Sequence, residues 1–237
     1  MKPLWRSFGV FIRQIIRDNM LWAVCFAPLL AALFFRYGIP LIEGLLCGYF
    51  QQQAILSDYY LLFDLLLSLL TPYLFCYVSA MVMLTERDEN MAGYMAVTPV
   101  GKSGYVMSRL VFPALIALVA SVLLMSFFTL TVWLFWTALA VCLLTCLLSI
   151  TVALLIFSLS RNRVEGMAMA KMAGLLILGL LVPFFILSNV KYLAAPLPSF
   201  WIAEFCITQN VLLLLPAALI SLIWIWLLYG RFVRKLY

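Results

Sequence analysis

Residues 111–160 read VFPALIALVA SVLLMSFFTL TVWLFWTALA VCLLTCLLSI TVALLIFSLS, without one charged side chain. A bilayer's hydrocarbon core takes about 20 apolar helical residues to cross. The stretch is therefore too long for one crossing and suits two, joined by a tight hairpin. Residues 129–136 are the expected turn, because Thr and Trp cluster there as they do at membrane–water boundaries.

Reading outward by the same rule gives six spans, near 20–35, 59–84, 105–128, 137–159, 172–187 and 211–229. The composition agrees, with 67% hydrophobic residues, 10% charged residues and a mean hydropathy of +1.16. Soluble domains lie near 45–50% apolar and about 25% charged. Hydrocarbon demands that every backbone amide be paired internally, and the apolar runs are continuous rather than alternating, so helices are expected and a barrel is not. The expected fold class is an all-α integral membrane protein, one transmembrane domain over 1–237.

The cations divide unevenly between the connections. Lys2, Arg6, Arg13, Arg17, Arg87, Lys102, Arg109, Arg161, Arg163, Lys171, Arg231, Arg234 and Lys235 fall on one side, against Arg36 and Lys191 on the other. Positive charge stays inside, so a cell (inner or plasma) membrane with both termini cytoplasmic is expected. This bias also explains the net charge of +6 without a nucleic-acid partner, for which no basic soluble face exists.

Residues 1–18 lack a signal-peptide pattern: Arg13, Arg17 and Asp18 directly precede the first apolar run. Leu4, Trp5, Phe8, Phe11, Ile12, Ile15 and Ile16 recur at helical spacing, with Arg6, Arg13, Gln14 and Arg17 mostly opposite. That pattern describes an amphipathic helix lying in the cytoplasmic interface against membrane lipid. On the outer side, 36–58 reads as a connection holding a short interfacial helix over 39–50. The loop 189–210 is apolar enough to re-enter the membrane before the sixth span. Kinks are expected at Pro28, Pro72, Pro183 and Pro216. Cys47 and Cys206 share the outer side, which permits a disulfide without establishing one.

Catalytic and metal-binding patterns are missing from the sequence. There is no histidine and no Cys-x-x-Cys pair, and Cys142 and Cys146 read as small hydrophobes on one helix face. Gly101-Lys102-Ser103 ends like a phosphate loop, but the glycine required five positions before the Gly-Lys pair is Ala96. The expectation is a chain that is not an enzyme, with no catalytic residue, no metal and no cofactor of its own. Asp64 is the one acid clearly within a span, and such groups face a partner or a wet cavity. It reads either as a carboxylate reaching the outer headgroups or as a residue of a translocation path or dimer seam.

The second connection on the basic side is the richest in polar residues: Thr85-Glu86-Arg87-Asp88-Glu89-Asn90-Met91-Ala92-Gly93-Tyr94-Met95-Ala96-Val97-Thr98-Pro99. Thr85 could cap a new short helix whose acidic first turn suits the dipole, and Pro99 and Gly101 would end it. This segment resembles the type-2 permease family, the membrane subunits of ATP-binding-cassette (ABC) exporters. Members carry a Glu-Arg-Glu start after the second span, a Thr-Pro about a dozen residues on, and a Tyr and a basic residue opening the third span. The matching residues are Glu86, Arg87, Asp88, Thr98, Pro99, Tyr105 and Arg109, and the usual Gly-Thr appears here as Asn90-Met91.

The resemblance implies a permease that pairs with a second permease, identical or a paralogue, on two copies of a separate ABC ATPase, which alone binds ATP and Mg. It also implies that the coupling-helix region 85–100, through Glu86, Arg87, Asp88, Glu89, Gly93, Tyr94, Thr98 and Pro99, couples ATPase closure to alternating access and export. On that view Glu86→Ala or Glu89→Lys uncouples transport and leaves the chain folded. The rival class is a stand-alone secondary transporter or channel. It would show internal repeats or several ionisable groups at mid-depth, and the sequence shows neither.

Overall fold

The computed structural model describes residues 2–89, 101–186 and 188–235. Among them every regular element is helical, and six helical stretches are long and apolar enough to cross a membrane. They run Asn19–Phe50, Ser57–Asp88, Ser103–Phe128, Phe135–Leu159, Arg163–Phe185 and Val211–Lys235. A separate N-terminal helix, Lys2–Arg17, precedes them, and an outer helix, Pro198–Thr208, lies between the fifth and sixth.

Burial ranks the spans. In their most apolar stretches the second and fourth are 67% buried, against 17% for the first and sixth, so the former pair forms the centre and the latter pair the periphery. Near the end that carries the termini, Phe11 and Ile15 of the N-terminal helix join Tyr77, Met81, Leu84, Val152, Phe157 and Phe232 in one core. Near the far end, Leu62, Leu65, Val141, Leu148, Leu180, Ile202 and Phe205 form a second.

Without water, hydroxyls inside spans must find carbonyls. Ser68, Thr71, Thr145, Ser149, Thr151 and Ser221 donate to carbonyls three or four residues back. Two others link neighbours: Ser121 Oγ donates to Ser68 O at 3.1 Å and Tyr73 Oη to Ala170 O at 2.9 Å. The hairpin between spans three and four falls where expected, with extended backbone at Thr129 and Leu134.

Several boundaries differ from the sequence reading. The first span does not stop near residue 35. A π-helical turn, Phe34–Gly38, carries it unbroken into Ile39–Phe50, so the expected separate interfacial helix is the outer end of the span itself. At 1.5 Å per residue such a 32-residue stretch is roughly 48 Å long and overreaches a hydrocarbon core of about 30 Å. The fifth span begins at Arg163, nine positions before the apolar run, because Asn162 caps it by accepting from Glu165 N at 2.8 Å. Pro216 sits in the first turn of Leu214–Lys235, where a missing N–H removes no helical bond, whereas Pro28, Pro72 and Pro183 lie inside helices as expected. Cys47 and Cys206 are both free.

The outer helix packs into the bundle against spans four, five and six, burying Phe200, Ile202, Ala203 and Phe205. Its start approaches the fifth span closely. A Cβ at Gly179 would stand 2.9 Å from Leu197 Cβ and would also meet Ser199 Oγ.

Candidate functional site

The second span does not end at its last apolar residue, Leu84. Its helix continues through Thr85, Glu86, Arg87 and Asp88. Thr85 caps nothing: its Oγ1 donates to Met81 O at 3.0 Å, one turn back in the same helix. The turn expected to open a new helix, Thr85–Asp88, is therefore the last turn of an old one, where acids oppose the dipole, and the rest of the expected coupling helix lies outside the described residues. That opposition needs an answering charge, and the third span supplies it.

Glu86 and Arg109 are both fully buried. Arg109 Nη2 donates to Glu86 Oε1 at 2.6 Å, and Nε reaches both carboxylate oxygens at 3.0 Å. Tyr105 Oη adds a hydrogen bond to Glu86 Oε2 at 3.0 Å. The other guanidinium arm turns to the N-terminal helix, donating to Ser7 O at 2.8 Å, and Ser7 Oγ lies 3.2 Å from Ser108 Oγ. The Arg109 guanidinium also stands 5.3 Å from the Phe11 ring centroid. Arg109 lies in a π-helical turn, Met107–Val111, a distortion that re-aims side chains within a helix. One knot thus ties the second span, the third span and the N-terminal helix.

Neighbouring charges bind the remaining elements of this end. Asp88 Oδ2 accepts from Arg163 N at 3.0 Å, at the start of the fifth span, and Arg87 Nη1 lies 3.4 Å from the carbonyls of Ser160 and Arg161. Asp18 caps the first span, accepting from Met20 N at 3.0 Å and Leu21 N at 3.2 Å, and pairs with Arg163. Burial pushes the Asp18 carboxyl up, but the Arg163 hydrogen bond and these backbone N–H groups outweigh it and hold the group below its ordinary value. Lys235 caps the fourth span by donating to Phe157 O at 2.9 Å and Ser158 O at 3.0 Å.

Of the residues expected to couple, Glu86, Arg87 and Asp88 therefore meet in this cluster, with Glu86 turned inward. Glu89 is exposed at the helix end, while Gly93, Tyr94, Thr98 and Pro99 lie outside the described residues. The burial of Glu86 revises one expectation: Glu86→Ala strands a buried guanidinium, so it unsettles the fold as well as the function. Sequence reasoning missed Ser7, Asp18 and Arg163 as partners. The available cue was Arg109 at the edge of a fifty-residue uncharged run, a position that demands a nearby carboxylate.

Asp64 lies at the opposite end of the same helix and is 1% exposed. Leu130 N donates to Oδ1 at 2.8 Å, while Thr131 N at 2.9 Å, Thr131 Oγ1 at 2.5 Å and Trp133 Nε1 at 3.0 Å donate to Oδ2. A carboxylate offers about four acceptor sites, and four donors fill them. Instead of reaching outward to headgroups, Asp64 pins the hairpin between spans three and four.

Six helical stretches long and apolar enough to cross a membrane, tied at one end by a charged knot, define a multi-pass membrane protein. Over residues 11–229 the chain matches the family described as "Fluoroquinolones export permease protein Rv2686c-like". The chain belongs to this Rv2686c-like family, a family of ABC exporter permease subunits. Comparison with curated proteins gives no match.

Proposed function

We propose that this chain is the translocating subunit of an exporter driven by a separate ATP-hydrolysing subunit, with the knot end facing the cytoplasm. The positive-charge bias supports that orientation, and it places the Lys2–Arg17 helix in the cytoplasmic interface. The observation that carries the mechanism is the buried Glu86–Arg109 pair. The segment between Glu89 and Gly101 joins two spans whose ends are locked to each other and, through Ser7, to the N-terminal helix. A force applied to that segment by a closing ATPase moves all three elements together rather than fraying one. Exposed Glu89, together with Gly93, Tyr94, Thr98 and Pro99 of the same segment, forms the contact. Two permeases and two ATPases alternate access between the two sides, and the ATP and Mg stay with the partner. The cargo is of the fluoroquinolone class named for the family.

The test is co-purification in mild detergent with the candidate ATPase, followed by its hydrolysis rate with and without this chain. Complex formation with altered hydrolysis, lost in Glu89→Lys while the permease stays monodisperse, is the expected result. A stable oligomer that binds no ATPase yet moves drug down an ion gradient would replace this reading with secondary transport.

A further inference from the structure

Beside the knot, the N-terminal helix separates two cavities of opposite character. One, of about 690 Å³, is walled by Arg13, Gln14, Arg17, Asp18, Glu89 and Arg163 among others. The second, of about 210 Å³, is lined by Ile12, Ile15, Ile16, Trp22, Cys25 and further apolar side chains. Helical periodicity puts positions 10, 13, 14 and 17 on one face and 11, 12, 15 and 16 on the other, so the two cavities flank opposite faces of one helix. Both reach the corner where that helix turns into the first span: Leu21 lines the polar cavity and Trp22, the next residue, the apolar cleft.

The polar cavity is prepared for an anion. Arg13 and Arg17 form no ion pair with any described residue. Arg163 Nε is a buried donor with no partner among the described residues, although the same side chain pairs with Asp18 through another nitrogen. The Gln14 amide oxygen is also buried without a partner among the described residues; as an acceptor it answers a hydroxyl donor and not the anion itself. The starts of the first and fifth spans, at Asn19 and Arg163, both border the cavity and add the positive ends of two helix dipoles. One orphaned buried donor, two guanidinium groups without an ion pair among the described residues and two helix starts converge on one space.

We propose that this cavity holds the phosphate of an anionic phospholipid from the cytoplasmic leaflet, its chains descending past the Asp18–Trp22 corner into the apolar cleft. The choice of a lipid over a soluble anion rests on the cleft and on the placement of the N-terminal helix proposed above. A phosphate at headgroup depth, bound beside a crevice of Ile and Trp, matches a diacyl lipid and leaves a free anion with no use for the crevice. Bound there, the lipid fastens the N-terminal helix, and through Ser7 the knot, to the membrane plane.

The full chain, purified in mild detergent, is offered equal amounts of dioleoyl phosphatidylglycerol and dioleoyl phosphatidylcholine, and retained lipid is counted by native mass spectrometry. A preference of about tenfold for the anionic lipid is expected, since Arg13 and Arg17 both attract its headgroup charge. Arg13→Ala/Arg17→Ala abolishes the preference, and Arg13→Lys/Arg17→Lys keeps most of it. Arg231→Ala/Arg234→Ala, which removes two cations elsewhere, leaves it intact. An unchanged preference in the Arg13→Ala/Arg17→Ala chain overturns the proposal. Displacement of the lipid by an equal concentration of inorganic phosphate also overturns it, by assigning the cavity to a free anion. No ATPase is needed for the measurement, so its failure and that of the permease reading are separate events.

Discussion

Glu86 and Asp64 are two buried carboxylates on one helix, roughly 33 Å apart at 1.5 Å per residue, and they are satisfied in opposite ways. Asp64 takes four neutral donors from one short hairpin, so it holds a single local turn. Glu86 takes a guanidinium that also grips a third element, so it holds three separate segments. Neutral donors close a loop without transmitting anything beyond it. A shared charge ties distant parts of the chain together, as the proposed grip of a partner on this end requires. The separation of the two acids is close to the thickness of a hydrocarbon core, about 30 Å.

The largest effect expected is from Glu86→Ala, which leaves Arg109 buried beside an empty site and destabilises by about 3–5 kcal/mol. Thermal unfolding in detergent, followed by tryptophan fluorescence, would show it. Glu86→Leu/Arg109→Met should recover most of the loss, since a well-packed apolar pair can replace a buried ion pair. Failure of that recovery would mean the knot acts through more than this pair. Asp64→Ala comes next, at about 2–3 kcal/mol, because backbone and indole N–H groups lose their acceptor at the far end. A loss as large as that of Glu86→Ala would erase the distinction between the two ends.

Glycines sharpen the same contrast. Gly179→Ala meets the Cβ of Leu197, which cannot swing away, and should lower stability by about 1–2 kcal/mol. Gly166→Ala meets the flexible ends of Leu84 and Met81 and should be milder in the same melting experiment. The smallest effect concerns Asp18. Its carboxyl is held below the ordinary value in the folded chain, so its contribution is present above the unfolded value of about 3.9 and fades as pH falls below that. Asp18→Asn should flatten the pH dependence of unfolding between about pH 5 and 3 by under ~1 kcal/mol, as suits a partly exposed pair.

The six crossings were legible because each depends on a local sum of apolar side chains, a quantity any window of twenty residues reports. The ends were less so. Phe34–Gly38 and Thr85–Asp88 stay helical because backbone hydrogen bonding continues wherever a polar side chain finds support, and that support comes from afar. Glu86 was singled out from its motif, yet its inward orientation was not visible. The partner Ser7 stands 102 positions from Arg109, and no periodicity links them. The Arg163–Asp18 pair spans 145 positions and was hidden for the same reason. Asp64 was noticed for the cost of its charge, but two of its four donors are backbone N–H groups, which nearly every residue carries and no sequence distinguishes.

The most direct test of the account asks which end a partner grips. A photo-crosslinking amino acid is placed at position 89 in one chain and at the far end in another, at position 192, beside the pair Lys191–Glu204. Each is expressed with the candidate ATPase and illuminated in intact membranes. Crosslinks to the ATPase from position 89 and none from position 192 are predicted. Crosslinks from position 192 alone would contradict both the orientation and the role assigned to the Glu86–Arg109 end.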